Sequence, residues 1–203
     1  MAWLSECALV AAIGCALSGS LLVVLDDRRL LLAVLAAQCA LSSWLVAQAV
    51  PLTVAAGKLA AGWMACGVLA LTVHASLGVE RPADGSQLPT GGAFRVAAVL
   101  LILAVGVGLG RGAWPLVPGL STTSRLGTAF LTTLGLLHIG ITEDPLRVGL
   151  GLLTLLSGFE VLYSVLEPSL AVTALLAAVH LGTAIVVSYL LLVVPASARR
   201  EGL

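Results

Sequence analysis

Charged residues are scarce in this chain of 203 residues. Lys, Arg, Asp and Glu together make up 10% of it, hydrophobic residues make up 60%, and the mean hydropathy is +1.12. An average soluble domain has about 25% charged residues. So few charges cannot cover the surface of a soluble protein with this much apolar side-chain area. The composition therefore excludes a soluble enzyme and a disordered chain, and it predicts an integral membrane protein.

Other features that the sequence lacks exclude further classes of protein. The formal net charge is zero and no basic run exceeds two residues, so we expect no nucleic-acid partner. No segment alternates polar and apolar residues as the wall of a membrane barrel must. The four cysteines form no CxxC pair and lie in apolar segments, which favours buried small side chains over redox roles. We find no acidic metal cluster and no histidine pair at haem-ligand spacing, so the chain is expected to bind no cofactor of its own.

Seven apolar segments are present, each close to the 20 residues that a helix needs to cross a membrane. They cover 5–25, 30–50, 52–78, 94–113, 124–142, 147–166 and 169–194. The first lacks the basic start of a secretory signal and is too long for one, so we expect it to be retained. Repeated glycines, as at Gly106, Gly108 and Gly110, favour close helix packing over a nucleotide loop. The sequence therefore predicts an all-α, polytopic membrane helix bundle.

Arginines indicate the orientation of the bundle. With seven spans, one side of the membrane receives most of them: Arg28, Arg29, Arg81, Arg95, Arg147, Arg199 and Arg200. The other side receives Arg111 and Arg125. Because positively charged loops stay in the cytoplasm, we expect the N-terminus outside and the C-terminus in the cytoplasm.

Three titratable residues lie inside the predicted spans: Lys58, Glu160 and His180. At a helix rise of 1.5 Å per residue, Lys58 and Glu160 both lie roughly 10 Å from the outer boundary, so they meet if their helices are neighbours. His180 lies deeper, at ~18 Å. Charged groups at such depths are costly and often mark an ion path. Three groups that can change protonation at graded depths are what a proton relay needs.

Each of these residues also has a simpler interpretation. Lys58 can extend its ammonium group outward along its stem. Glu160 can form a purely structural ion pair with Lys58, and His180 can hydrogen-bond a neighbouring helix. His74 and His138 lie near the ends of their spans and are expected at the membrane interface. Polar side chains such as Gln38 and Ser42 are expected to hydrogen-bond between helices.

The last three spans follow a recognisable layout. The stretch 125–137 (RLGTAFLTTLGLL) is followed by 143–153 (EDPLRVGLGLL), the patch 157–160 (SGFE) and a final span with His180. This layout resembles the three-helix K-type (4L) subunit of respiratory NADH-quinone oxidoreductase and the related C-type subunit of multisubunit cation/proton antiporters. The resemblance implies four N-terminal spans in 1–113, a linker in 114–123 and a K-like three-helix unit in 124–203.

The whole chain resembles component E of hydrogenase-4 and formate hydrogenlyase complexes, which has extra spans before a K-like half. Arg28 and Arg29, the stretch 36–38 (AAQ) and the lone Lys58 fit that pattern. The family has one glutamate in the middle K-like helix and another in the last. Here Leu156 stands at the first of these positions, with Glu160 one turn later on nearly the same face. His180 stands at about the second.

The resemblance implies an accessory, non-catalytic subunit of a hydrogenase-like or complex-I-like oxidoreductase in a prokaryotic plasma membrane. Such a subunit packs against an antiporter-like subunit and assists proton or cation translocation, here through Glu160, His180 and Lys58. Iron–sulfur clusters, nickel or flavin are expected in partner subunits. Two alternatives remain: a purely structural scaffold of such a complex, and an independent small transporter. Against a transporter, the halves show no clear repeat and no pair of broken helices.

Overall fold

The chain folds into a helix bundle. The computed structural model describes residues 2–76, 91–112, 120–167 and 169–201, and within them it has seven helices. They are α1 (Ala2–Val24), α2 (Arg28–Val46), α3 (Leu52–Ser76), α4 (Gly92–Gly112), α5 (Thr122–Gly140), α6 (Pro145–Leu166) and α7 (Leu170–Glu201). The predicted all-α bundle is confirmed, with one helix for each predicted span. Most of the predicted linker 114–123 lies outside the described residues.

Six of the seven helices, all but α5, are long and apolar enough to cross a membrane. Helix α5 packs against α1, α4 and α6, so much of its surface faces protein rather than lipid. It therefore tolerates more hydroxyl side chains than its neighbours. Thr132 and Thr133 donate hydrogen bonds to carbonyl groups one turn earlier in the same helix, which removes the cost of burying their hydroxyls.

Local sequence signals fix several helix ends. The Asp27 side chain accepts a hydrogen bond from the backbone N–H of Arg29 and caps α2. Ser121 caps α5 in the same way by accepting from the backbone N–H of Ser124. Pro145 occupies the first turn of α6, where its missing N–H costs nothing. Helix α2 ends at Val46, five residues before Pro51, and the proline disfavours a helical conformation at Val50.

The helices form two layers of three. Helices α1, α2 and α3 make one layer, and α5, α6 and α7 make the other, so that α1 contacts α5, α2 contacts α6 and α3 contacts α7. Helix α4 packs outside α1 and α5. Helices α2, α3, α7 and α6 consequently form a closed four-helix ring, each packed against the next. An apolar core lies inside this ring and is rich in leucine, including Leu31, Leu35, Leu69, Leu150 and Leu191.

Helices α5 and α6 approach each other through glycine. A Cβ atom built on Gly135 lies 2.7 Å from the backbone nitrogen of Leu155, and one built on Gly158 lies 2.9 Å from the Cβ of Leu131. Neither neighbour is the free end of a flexible side chain. The close contact between α5 and α6 therefore depends on the absence of side chains at these two positions.

Replacing Gly135 by Ala is expected to destabilise the bundle by about 1–3 kcal/mol, the usual cost of overpacking. Gly57→Ala on α3 is the matched control, because a Cβ there meets nothing within 4 Å. The control should be neutral or slightly stabilising, since alanine is the better helix former. Thermal unfolding in detergent measures both variants. Equal stability of the two would contradict the close α5–α6 contact.

Two buried arginines hold three helices together at one end of the bundle, here called the arginine end. Arg95 of α4 and Arg147 of α6 donate to the same oxygen of Asp26, Oδ1, at 2.8 and 2.7 Å. Arg147 also donates to the carbonyl of Leu25 at 3.1 Å. Beside them, Arg28 lies 3.6 Å from Asp144. The carboxylate of Asp26, which follows α1, thus binds the first turns of both α4 and α6.

The Asp26 carboxylate makes this end of the bundle sensitive to pH. Desolvation is the largest single influence and raises its pKa, but the hydrogen bonds and charges of Arg95 and Arg147 together outweigh it, so the pKa lies below its ordinary value of 3.8. A lowered pKa in the folded state stabilises the fold above the unfolded-state pKa. That contribution is lost as the pH falls from about 4 through the folded-state pKa.

Asp26→Asn is therefore expected to lower the melting temperature at pH 7 and to have a smaller effect as the pH falls below about 4. Asp27→Asn is the matched control, because it makes the same charge change one residue away and asparagine caps a helix equally well. Melting temperatures in detergent across the pH range test this. A pH-independent effect of Asp26→Asn would contradict the proposed electrostatic origin.

Candidate functional site

The three titratable residues predicted inside the spans meet at one place in the bundle. Lys58 lies in the second turn of α3, Glu160 lies six residues before the end of α6, and His180 lies in the third turn of α7. All three side chains are buried, with no more than 7% of any of them exposed. Each of these helices belongs to the four-helix ring, and the three side chains converge at its centre.

Glu160 is the centre of the site. Its Oε2 lies 2.7 Å from Nζ of Lys58, which makes a buried ion pair across the diagonal of the ring. Its Oε1 lies 2.9 Å from Nδ1 of His180. A single carboxylate thus faces one fixed cation and one imidazole, and that imidazole donates to it when Nδ1 carries the proton. We refer to Lys58, Glu160, His180 and Ser42 as the polar cluster.

Ser42 lies on α2, the fourth helix of the ring, and also belongs to the polar cluster. Its hydroxyl oxygen accepts a hydrogen bond from Nζ of Lys58 at 3.1 Å, and its own hydroxyl donates to the carbonyl of Cys39. This confirms the predicted hydrogen bonding between helices for Ser42. Gln38, one turn earlier on α2, is also buried, but its side-chain amide has no hydrogen-bond partner among the described residues.

The structure corrects the expected position of His180 and excludes the outward alternative for Lys58. His180 is not a separate site at greater depth, because it contacts the same carboxylate as Lys58. Counting residues gives the depth along one helix, whereas contact depends on how the helices are shifted against each other. His138, near the end of α5, is buried in the protein with 3% exposure, whereas His74 is exposed near the end of α3. Lys58 does not extend outward, since Glu160 and Ser42 bind its ammonium group inside the ring.

A small cavity joins the polar cluster to the end of the bundle opposite the arginine end. It has a volume of about 20 Å³, and its polar lining comes from Lys58, Glu160, Tyr163, Ser164, Glu167 and Thr173. One water molecule needs roughly 10–15 Å³ of such space and two to four polar partners. Glu167 is exposed at the end of α6, so polar groups continue from the protein surface to the carboxylate of Glu160.

On the other side of the polar cluster, the four-helix ring is filled by the leucine-rich core. Thr154 and Ser157 of α6 are buried between the two regions, and Thr154 donates to the carbonyl of Leu150 within its own helix. The polar cluster therefore has a polar connection toward the Glu167 end and an apolar barrier toward the arginine end.

The resemblance given above predicts an acid at the position of Leu156. Leu156 is half-buried, whereas Glu160, one turn later, is buried and points into the ring. At this position the carboxylate of Glu160 lies within reach of Lys58 and His180. The arginine end was not foreseen as a structural cluster, because Arg95 and Arg147 are separated from Asp26 by 69 and 121 residues in sequence.

Removing one partner of the buried ion pair between Lys58 and Glu160 should lower the free energy of unfolding. Lys58→Met and Glu160→Gln are each expected to destabilise the bundle by about 3–5 kcal/mol, since each leaves a buried charge without its partner. The double variant should lose much less than the sum of the two. Unfolding in detergent measures this cycle, with Glu167→Gln as the control at an exposed acid. Additive losses would contradict direct coupling between Lys58 and Glu160.

No family model, curated protein or solved structure matches this chain.

Proposed function

We propose that this chain is an accessory membrane subunit of a hydrogenase-like or complex-I-like oxidoreductase, in which the polar cluster takes part in proton translocation. The observation that carries the proposal is that Lys58 and His180 both contact the carboxylate of Glu160 inside an apolar bundle. Ionisable groups inside a membrane are expensive, and they are retained chiefly where ions or protons move.

The chemistry of the polar cluster fits a proton carrier. A proton that reaches Glu160 neutralises its carboxylate and weakens its attraction to Lys58. The proton can then pass between Oε1 of Glu160 and Nδ1 of His180, because these atoms are 2.9 Å apart. Lys58 remains a fixed positive charge that favours the ionised carboxylate again after the proton has left.

The direction of access follows from the surroundings of the polar cluster. The cavity lined by Glu160 and Glu167 has room for about one water molecule on one side, and the leucine-rich core fills the other side. Under the orientation predicted from the arginines, the hydrated side faces outward. Further transfer toward the cytoplasm would then require a neighbouring subunit, which agrees with an accessory role beside an antiporter-like protein. Redox cofactors would reside in other subunits.

The proposal predicts that Glu160→Gln lowers proton translocation by the assembled complex at least about tenfold, on the scale of general acid–base contributions. Electron transfer to an artificial acceptor should remain intact. Proton uptake by inverted membrane vesicles measures the first quantity and acceptor reduction the second. Glu143→Gln is the matched control, since Glu143 is an exposed acid at the other end of α6. Unchanged translocation in both Glu160→Gln and His180→Ala would contradict a relay.

A structural scaffold is the second candidate. It is favoured by the fact that Lys58 and His180 already occupy both oxygens of Glu160, as in a static ion pair. A scaffold predicts that Glu160→Gln reduces the amount of assembled complex but not the protons moved per electron. Purification of a tagged chain in mild detergent identifies the partners. Ion or solute movement by the chain alone in liposomes would instead indicate an independent transporter.

A further inference from the structure

A groove on the outer surface of the bundle runs between α2 and α3, and it is separate from the polar cluster. Its volume is about 530 Å³. Small side chains form its floor on both helices, namely Ala33 and Ala36 of α2 and Gly67 and Ala70 of α3. The groove therefore has an apolar lining of small side chains, which suits contact with a hydrocarbon chain.

The two ends of the α2–α3 groove differ in chemistry. At the arginine end of the bundle it is lined by Arg29 and His74, both exposed. At the other end it is lined by Ala36 and Cys66. Near that end, the indole Nε1 of Trp63 donates to the carbonyl of Ala36 at 3.2 Å and joins the two helices. The groove thus has a polar end and an apolar end.

The length of the groove fits within one leaflet of a bilayer. Cys66 and His74, the first and last residues of its lining on α3, are separated by eight positions, which corresponds to ~12 Å of helix. Half of the hydrocarbon thickness of a bilayer is roughly 15 Å. A lipid whose polar head lies at Arg29 and whose acyl chain runs toward Cys66 therefore stays within its own leaflet.

Arg29 lacks the partners that its neighbours have. At this end of the bundle, Arg28 pairs with Asp144, and Arg95 and Arg147 pair with Asp26. Among the described residues Arg29 has no acid within ion-pair distance, and the adjacent Asp27 carboxylate accepts from its backbone rather than pairing with its guanidinium. A guanidinium that has no acidic partner in the described part of the chain, and that lines the same groove as a histidine, is suited to binding a phosphate group.

We propose that the α2–α3 groove binds one anionic phospholipid, with the headgroup phosphate at Arg29 and His74 and an acyl chain along Ala33, Ala36, Gly67 and Ala70. Basic sites between membrane helices bind acidic lipid headgroups by this combination of charge and apolar surface. The groove between α6 and α7 has a similar volume, about 520 Å³, but no charged residue lines it. It therefore lacks the feature that selects a headgroup.

The test is native mass spectrometry of the full chain, after delipidation and addition of dioleoyl-phosphatidylglycerol or dioleoyl-phosphatidylcholine. The wild type should retain one phosphatidylglycerol in preference to phosphatidylcholine. Arg29→Gln should reduce that preference by about fivefold, the contribution of one basic residue near a membrane surface. Arg111→Gln, at an exposed arginine on α4, is the matched control and should leave the preference unchanged.

Gly67→Leu tests the apolar part of the groove. Gly67 lines the groove and a Cβ built there meets nothing within 4 Å, so a leucine at this position is expected to obstruct the groove. It should reduce retention of both lipids at least about tenfold, whereas Gly57→Leu, on the same helix and outside the groove, should not. Ala33→Leu on α2 provides a second obstruction if Gly67→Leu folds poorly.

Three results would overturn the proposal: equal retention of both lipids by the wild type, full retention by the obstructed variants, or a second copy of the chain in place of the lipid. None of these outcomes depends on proton translocation, so the test of the lipid site is independent of the proposed function.

Discussion

Every charge inside this bundle must find its partner within the protein, because the surrounding lipid offers none. That constraint shapes the four-helix ring. Glu160 on α6 and Lys58 on α3 lie on helices at opposite corners of the ring, and their ion pair spans its centre. His180 and Ser42 come from the other two helices and bind the remaining polar groups of the pair. Each helix of the ring therefore contributes one side chain, and none can be displaced without leaving a polar group unsatisfied.

The same constraint acts at the arginine end, where the solution is different. Asp26 is largely exposed, whereas the two arginines that bind it are buried. The carboxylate can be hydrated while the guanidinium groups cannot, so the arginines depend on Asp26 more than it depends on them. The bundle thus has two electrostatic centres, one enclosed in the membrane interior and one at its edge, with the leucine-rich core between them. This separation underlies the one-sided access to Glu160 on which the proposed function rests.

The two-layer arrangement explains why a chain without an obvious internal repeat builds a four-helix ring. In sequence, α4 lies between the two groups of three helices. Helices α5, α6 and α7 therefore cross the bundle in the same directions as α1, α2 and α3, respectively. Parallel helices then pair across the layers, and residues at similar distances from equivalent helix ends meet. Lys58 and His180 are both near the start of their helices, and Ser42 and Glu160 are both near the end. The glycine contact between α5 and α6 holds two helices of the second layer close together.

The sequence by itself determined the class, the number of helices and most of their ends. Apolar run length and the scarcity of charge specify membrane helices, and local capping by Asp27, Ser121 and Pro145 specifies where they begin. It also singled out Lys58, Glu160 and His180, because an ionisable residue within an apolar run is conspicuous. Only the tertiary structure decided that His180 shares the carboxylate of Glu160, that His138 is buried and that distant arginines meet at Asp26. Residue spacing measures position along one helix, whereas these contacts depend on how separate helices pack and shift against one another.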